Sequence, residues 1–179
     1  MSGPGGARVL YLVVCAAPPA QRVGELVELL AEQRWTVCVV ATPQAVRFLD
    51  IPALELRTGF PVRSDYKQPD SPDALPRADA VAVVPATFNT LNKWAAGISD
   101  TFALGTLNEA IGLSLPVIVV PYAKPALAAH PAFAESLAKL ARWGVQVLPN
   151  EVIRRKPVVP GDPQGFDWTP VVDAVALPG

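Results

Sequence analysis

The chain has 179 residues, 51% of them hydrophobic and 17% charged, with a net charge of -1 and a pI near 5.8. That length suits one domain with a real core, and the apolar share excludes a disordered chain. The balanced charge, without any polybasic run, argues against a nucleic-acid partner.

Apolar runs such as residues 9–17 fall far short of the ~20 residues of a membrane span, so no membrane partner is expected. Residues 1–7 lack the charged-then-apolar pattern of a signal peptide and read as a flexible tail, which makes a cytoplasmic location the expectation. Cys15, Cys38 and the single histidine have no ligand spacing, so neither a metal site nor a disulfide framework is expected. The 20 prolines, well above the average share of about 5%, sit mostly at element boundaries.

Residues 8–14 form a continuous apolar run of the kind that a strand buried on both faces requires. The following turn, Cys15-Ala-Ala-Pro-Pro-Ala20, contains no glycine, and its two prolines withdraw amide donors from any phosphate cradle. Residues 20–34 carry Val23, Leu26, Val27 and Leu30 on one face, predicting an amphipathic helix. Residues 35–41 read as a second buried strand. Thr42-Pro43 then resembles a helix cap, predicting a short helix over 43–49 that carries Arg47 and presents free amides to an anion. A short third strand is expected at 53–57, followed by a long proline-rich loop over 58–76, suited to a site lid or an oligomer contact.

Residues 79–84 predict a fourth strand, after which the composition changes sharply. Thr87, Asn89, Thr90 and Asn92 place two hydroxyls and two amides within six residues. Apolar packing has no use for them, and polar side chains at the mouth of a buried strand favour a ligand site. Phe88, Leu91, Trp94, Ala95 and Ile98 recur at helical spacing, so this helix is also half core; Phe88 and Trp94 suit core packing more than ligand stacking. Asp100 is the expected cap of the next helix, closed by Gly112. Residues 116–120 predict a fifth strand and 121–130 a loop at its carboxyl end. A helix over 132–143, a short sixth strand at 145–148 and a last helix at 169–175 complete the reading. The alternation implies an α/β chain: a single Rossmann-like domain with a doubly wound, mostly parallel six-stranded sheet.

Two side chains outside the polar turn are weaker candidates. His130 is the only imidazole available for catalysis, though a lone histidine before proline equally suits a surface hydrogen-bonding role. Lys124, at the end of the fifth strand, suits either a substrate phosphate or carboxylate, or simply solvent.

Pro85-Ala-Thr-Phe-Asn-Thr90, Lys93 and Ala95-Ala-Gly-Ile-Ser-Asp100 resemble the P-x-S-A-N-T…K-x-A-x-G-x-x-D signature of the homo-oligomeric flavin-containing cysteine decarboxylases. Residues 39–49 resemble the same family's V-x-x-T-x-x-A-x-x-F-(I/L) segment. The resemblance runs in order over residues 8–148, which it makes a flavoprotein-like domain, with 149–179 a Pro/Gly-rich extension packed on it. It implies an FMN cofactor, with Thr42 and Phe48 near the phosphate, Pro85, Thr87, Asn89 and Thr90 along the isoalloxazine ring, and Asp100 supporting that wall. It also implies a small-molecule thiol or carboxylate substrate and a homo-oligomer, a trimer or dodecamer. The chain departs from the pattern at the Ala16–Pro19 turn, at Ser71 where the family carries its catalytic histidine, and after Pro121, the one surviving residue of the substrate clamp. Three functions stay open: a flavin-dependent redox or decarboxylation step, a cysteine decarboxylase with a rearranged site, and a non-catalytic binding or assembly subunit with a degenerate flavin pocket.

Overall fold

The computed structural model describes residues 6–157, 160–161 and 165–176. Five parallel strands, β1 (Arg8–Val14), β2 (Trp35–Ala41), β3 (Ala80–Ala86), β4 (Val117–Pro121) and β5 (Gln146–Val147), are ordered β2-β1-β3-β4-β5. Helices α1 (Val23–Glu32), α2 (Ile51–Thr58), α3 (Phe88–Ala95), α4 (Phe102–Gly112), α5 (Pro125–Ala128), α6 (Pro131–Arg142) and α7 (Thr169–Ala176) join and flank them.

The strands are apolar along most of their length, β3 and β4 at every position, because both faces of the sheet are covered. Successive residues of β1 feed opposite cores, as the two-residue period of a strand demands. Leu10, Leu12 and Val14 pack with Leu26 and Leu30 of α1 on one face. Val13, with Cys15 just beyond the strand, packs with Leu91 and Trp94 of α3 and Leu104 and Leu107 of α4 on the other. The extension beyond 148 completes the first core: Ile153, Phe166, Trp168 and Val171 are all buried there. The Trp168 indole donates to Glu25 Oε2 of α1 at 3.0 Å, holding that end of the chain to the first helix.

Four expectations are corrected. The sheet has five strands rather than six, because residues 53–57 lie inside α2. Asp50 caps that helix by accepting from the Ala53 amide, Pro52 sits in its first turn, and Gly59 ends it at φ 75°, a conformation that favours glycine. Residues 43–49 form a turn and a short 3-10 segment (Val46–Phe48) instead of an α-helix. The Thr42 amide is already engaged with Val14, and the Ala45 amide returns to the Thr42 carbonyl. Thr101, not Asp100, caps α4, accepting from the Leu104 amide at 3.1 Å. Residues 125–128, expected within a loop, form α5. No helix among the described residues is long and apolar enough to cross a membrane.

Candidate functional site

The strand order reverses at β1: the chain moves outward to β2, then returns to β1's other side with β3. At such a switch point the loops leaving two neighbouring strands diverge and open a crevice at the strands' carboxyl ends. A cavity of about 470 Å³ lies there. Ala16 comes from the turn after β1; Thr42, Pro43, Gln44 and Arg47 come from the turn after β2. Thr87, Asn89 and Thr90 come from the start of α3 and Lys93 from its last turn, with Thr101 and Leu104 from the start of α4.

Local chemistry fixes this wall. Thr87 caps α3: its hydroxyl accepts from the Thr90 amide at 3.4 Å and donates to the Thr90 hydroxyl at 3.3 Å. The Cys15 thiol at the end of β1 is fully buried in the core behind this wall. Burial pushes that thiol's pKa up, and Thr90 and Thr87 only partly oppose the rise. Cys15 is therefore a neutral packing group, not a nucleophile. Asn89 and Lys93 are four residues apart and share a face of α3. Lys93 is paired with Asp100 at 2.6 Å, which ties the end of α3 to the residue before the α4 cap.

The candidates from sequence divide between the cavity and its surroundings. Thr42, Thr87, Asn89 and Thr90 line it together. Phe48 does not; it packs against the apolar core on the α1 side. Pro85 lies one layer behind, its carbonyl accepting from the Cys15 amide at 3.1 Å. Asp100 reaches the cavity only through Lys93. His130 is exposed at the amino end of α6, where its Nδ1 accepts from the Ala132 amide at 3.1 Å. Its ring meets that of Phe88 edge-on at 5.5 Å, and neither ring lines the cavity. Lys124 precedes α5 and is exposed away from the cavity. Ser71 is exposed in the loop between α2 and β3. Tyr66 fastens that loop to the start of α4, its hydroxyl donating to the Thr101 carbonyl at 3.1 Å.

Sequence reasoning missed Gln44, Lys93, Thr101 and Leu104 as lining residues. Lys93 was within reach, since it falls one turn beyond Asn89. Thr101 was hidden beside Asp100, an equally good cap by type. The cavity so built is small-walled at Ala16, rich in hydroxyl and amide groups, and bordered by Arg47 and Lys93. Its volume lies in the range that encloses a cofactor-sized ligand.

An open parallel sheet with a polar cleft at its switch point defines a nucleotide- or cofactor-binding α/β protein. The chain belongs to the Flavoprotein family, whose model matches residues 5–176. The coenzyme A biosynthesis bifunctional protein CoaBC of Mycobacterium tuberculosis (strain ATCC 25618 / H37Rv) is 34% identical over 135 residues, covering 72% of this chain. The match covers only 31% of that protein, so the chain spans about a third of the length of the curated relatives it matches. Among solved structures, a PPC decarboxylase mutant complexed with pantothenoylaminoethenethiol superposes with a TM-score of 0.71 at 21% identity, over 95% of this chain and 97% of that one. The FMN-dependent cysteine decarboxylase TvaF from thioviridamide biosynthesis gives a TM-score of 0.70 at 26% identity, over 80% and 90% of the two chains.

Proposed function

We propose that this chain binds FMN in the cavity at the β1/β3 switch point and acts in a flavin-dependent redox step of the decarboxylation type on a small thiol or carboxylate substrate. The observation that carries this reading is the convergence of Ala16, Thr42, Thr87, Asn89 and Thr90 on one cofactor-sized cavity. The donor set fits the group: hydroxyls and an amide suit a ribityl chain and the polar edge of a planar ring. Ala16 permits close approach, and a cation is at hand for a phosphate. The likeness to the FMN-dependent cysteine decarboxylase TvaF and to the PPC decarboxylase supports the same assignment.

FMN, when bound, would supply the two-electron chemistry; the protein's part is orientation and electrostatics. Thr87 and Thr90, held by each other at the start of α3, present their hydroxyls to the cavity already oriented. Asn89 offers an amide from the same helical turn. His130, tied to the α6 amino end and turned toward Phe88, does not supply a proton acceptor to this cavity. A substrate proton would leave to solvent or to a group carried by the substrate or a neighbouring subunit. The proposal includes the trimer or dodecamer expected from the resemblance, and a cytoplasmic location.

The test is an absorbance scan of the purified chain from about 350 to 500 nm, with melting curves in added FMN. Ligand at about 100 times its Kd stabilises by ~2.7 kcal/mol, which raises Tm by roughly 5–11 °C in a chain of this size. A colourless protein whose Tm ignores FMN would refute the reading. Size-exclusion chromatography with and without FMN tests the assembly.

A further inference from the structure

Resting on that reading, the charge and amide content of the cavity distinguish one end from the other. The turn after β1 offers few donors. The Cys15 amide is bonded to the Pro85 carbonyl and the Ala17 amide to the Cys15 carbonyl. Pro18 and Pro19 have no amide hydrogen at all. Only Ala16 lacks a partner there among the described residues. After β2 the count is similar: the Thr42 amide donates to Val14, Pro43 has none, and Gln44 remains. An amide cradle of the usual kind, built from a run of free N–H groups, is missing from both turns.

A phosphate monoester carries nearly two negative charges and needs them met. Two cations line the cavity. Lys93 is neutralised by Asp100 at 2.6 Å. Arg47 stands exposed in the turn after β2 and forms no ion pair among the described residues. Its guanidinium lies 6.0 Å over the ring of Phe48, and Gln44 lines the cavity beside it. The planar fork of an arginine matches two phosphate oxygens at once.

We propose that Arg47 is the specificity-determining residue of this site, clamping the 5′ phosphate and so selecting a phosphorylated flavin over its dephosphorylated form. It does the work that the proline-containing turn after β1 cannot.

The experiment measures the Kd of FMN and of riboflavin, by quenching of flavin fluorescence, for the full chain and for Arg47→Met and Arg47→Lys. Loss of one charge-assisted clamp weakens FMN by about 10- to 100-fold in Arg47→Met, while riboflavin stays within about twofold and the melting temperature is unchanged. Arg47→Lys falls between, since it keeps the charge and loses the fork. Raising salt weakens FMN binding to the parent chain more than to Arg47→Met. FMN binding untouched by Arg47→Met overturns the proposal and gives the phosphate to the free amides opening α3, or leaves Arg47 for a substrate phosphate. Equal weakening of both flavins also overturns it, by making Arg47 a packing residue. A parent chain that binds neither flavin sinks the FMN reading itself, and the Arg47 assignment falls with it.

Discussion

Thr87 joins fold and site most directly, so its removal gives the sharpest prediction. Thr87→Ala deletes the acceptor of the Thr90 amide and a donor to the Thr90 hydroxyl. Loss of an N-cap threonine costs ~0.5–2 kcal/mol. The two bonds here, at 3.3 and 3.4 Å, are long, which puts the cost in the lower half of that range, about 0.5–1 kcal/mol. In a chain of this size that lowers Tm by roughly 1–4 °C. Thr87→Ser keeps the oxygen and recovers most of the loss, serine being at least as good a cap. Differential scanning calorimetry without ligand reads the cap. The same scans with FMN read the site, where the alanine variant should gain less from added ligand than the serine one. Equal losses in both variants would assign the effect to the threonine methyl, and an unchanged Tm in Thr87→Ala would refute the capping argument.

Truncation after Leu148 removes Ile153, Phe166, Trp168 and Val171 from the core. At ~1.5–3 kcal/mol for each large buried side chain, the loss rivals the whole stability of a domain, so the shortened chain should be insoluble or show no cooperative melting. Trp168→Phe is milder: it leaves Glu25 without its indole donor, for an expected loss of ~1–3 kcal/mol by urea denaturation. In Gly105→Ala, the new Cβ would stand 2.5 Å from the Tyr66 hydroxyl and dislodge it from the Thr101 carbonyl, while the better helix propensity returns up to ~1 kcal/mol. Stability should stay nearly level while proteolysis within 59–79 quickens; unchanged cleavage would contradict the fastening role of Tyr66. Burial lifts the Cys38 thiol from 9.0 to about 11. The folded state then holds a proton that the unfolded state gives up, so stability falls as pH rises from about 9 toward 11. A Cys38→Ala variant should flatten that slope in pH-resolved denaturation.

Much of this was legible from residue order. A strand buried on both faces reads as an unbroken apolar run, and β1 to β4 all announce themselves so. Thr87, Asn89 and Thr90 stood out because a buried strand has no use for such groups at its end. Failures arose where short windows are ambiguous. Ala53 to Arg57 alternates like a strand, and only the Asp50 cap, Pro52 and Gly59, read together, reveal a helix. Phe48 and Asp100 were tied to the site by a pattern of neighbours, whereas side-chain direction decides contact: one turns into the core and the other acts through Lys93. No periodicity in one sequence shows that His130 faces Phe88 instead of the cleft, because that contact joins separate helices and is settled by packing.

The contact between His130 and Phe88 has a practical side. The chain has one histidine, so its imidazole gives one Hε1 and one Hδ2 resonance, the Hε1 line downfield of the aromatic envelope and assignable without isotopic labelling. The two rings meet edge to face at 5.5 Å, within reach of the ring current of the residue that opens α3. Phe88 is next to both Thr87 and Asn89, so any ligand that shifts the start of α3 moves those two lines. A one-dimensional titration would therefore report events in the cleft from a spectator that takes no part in them.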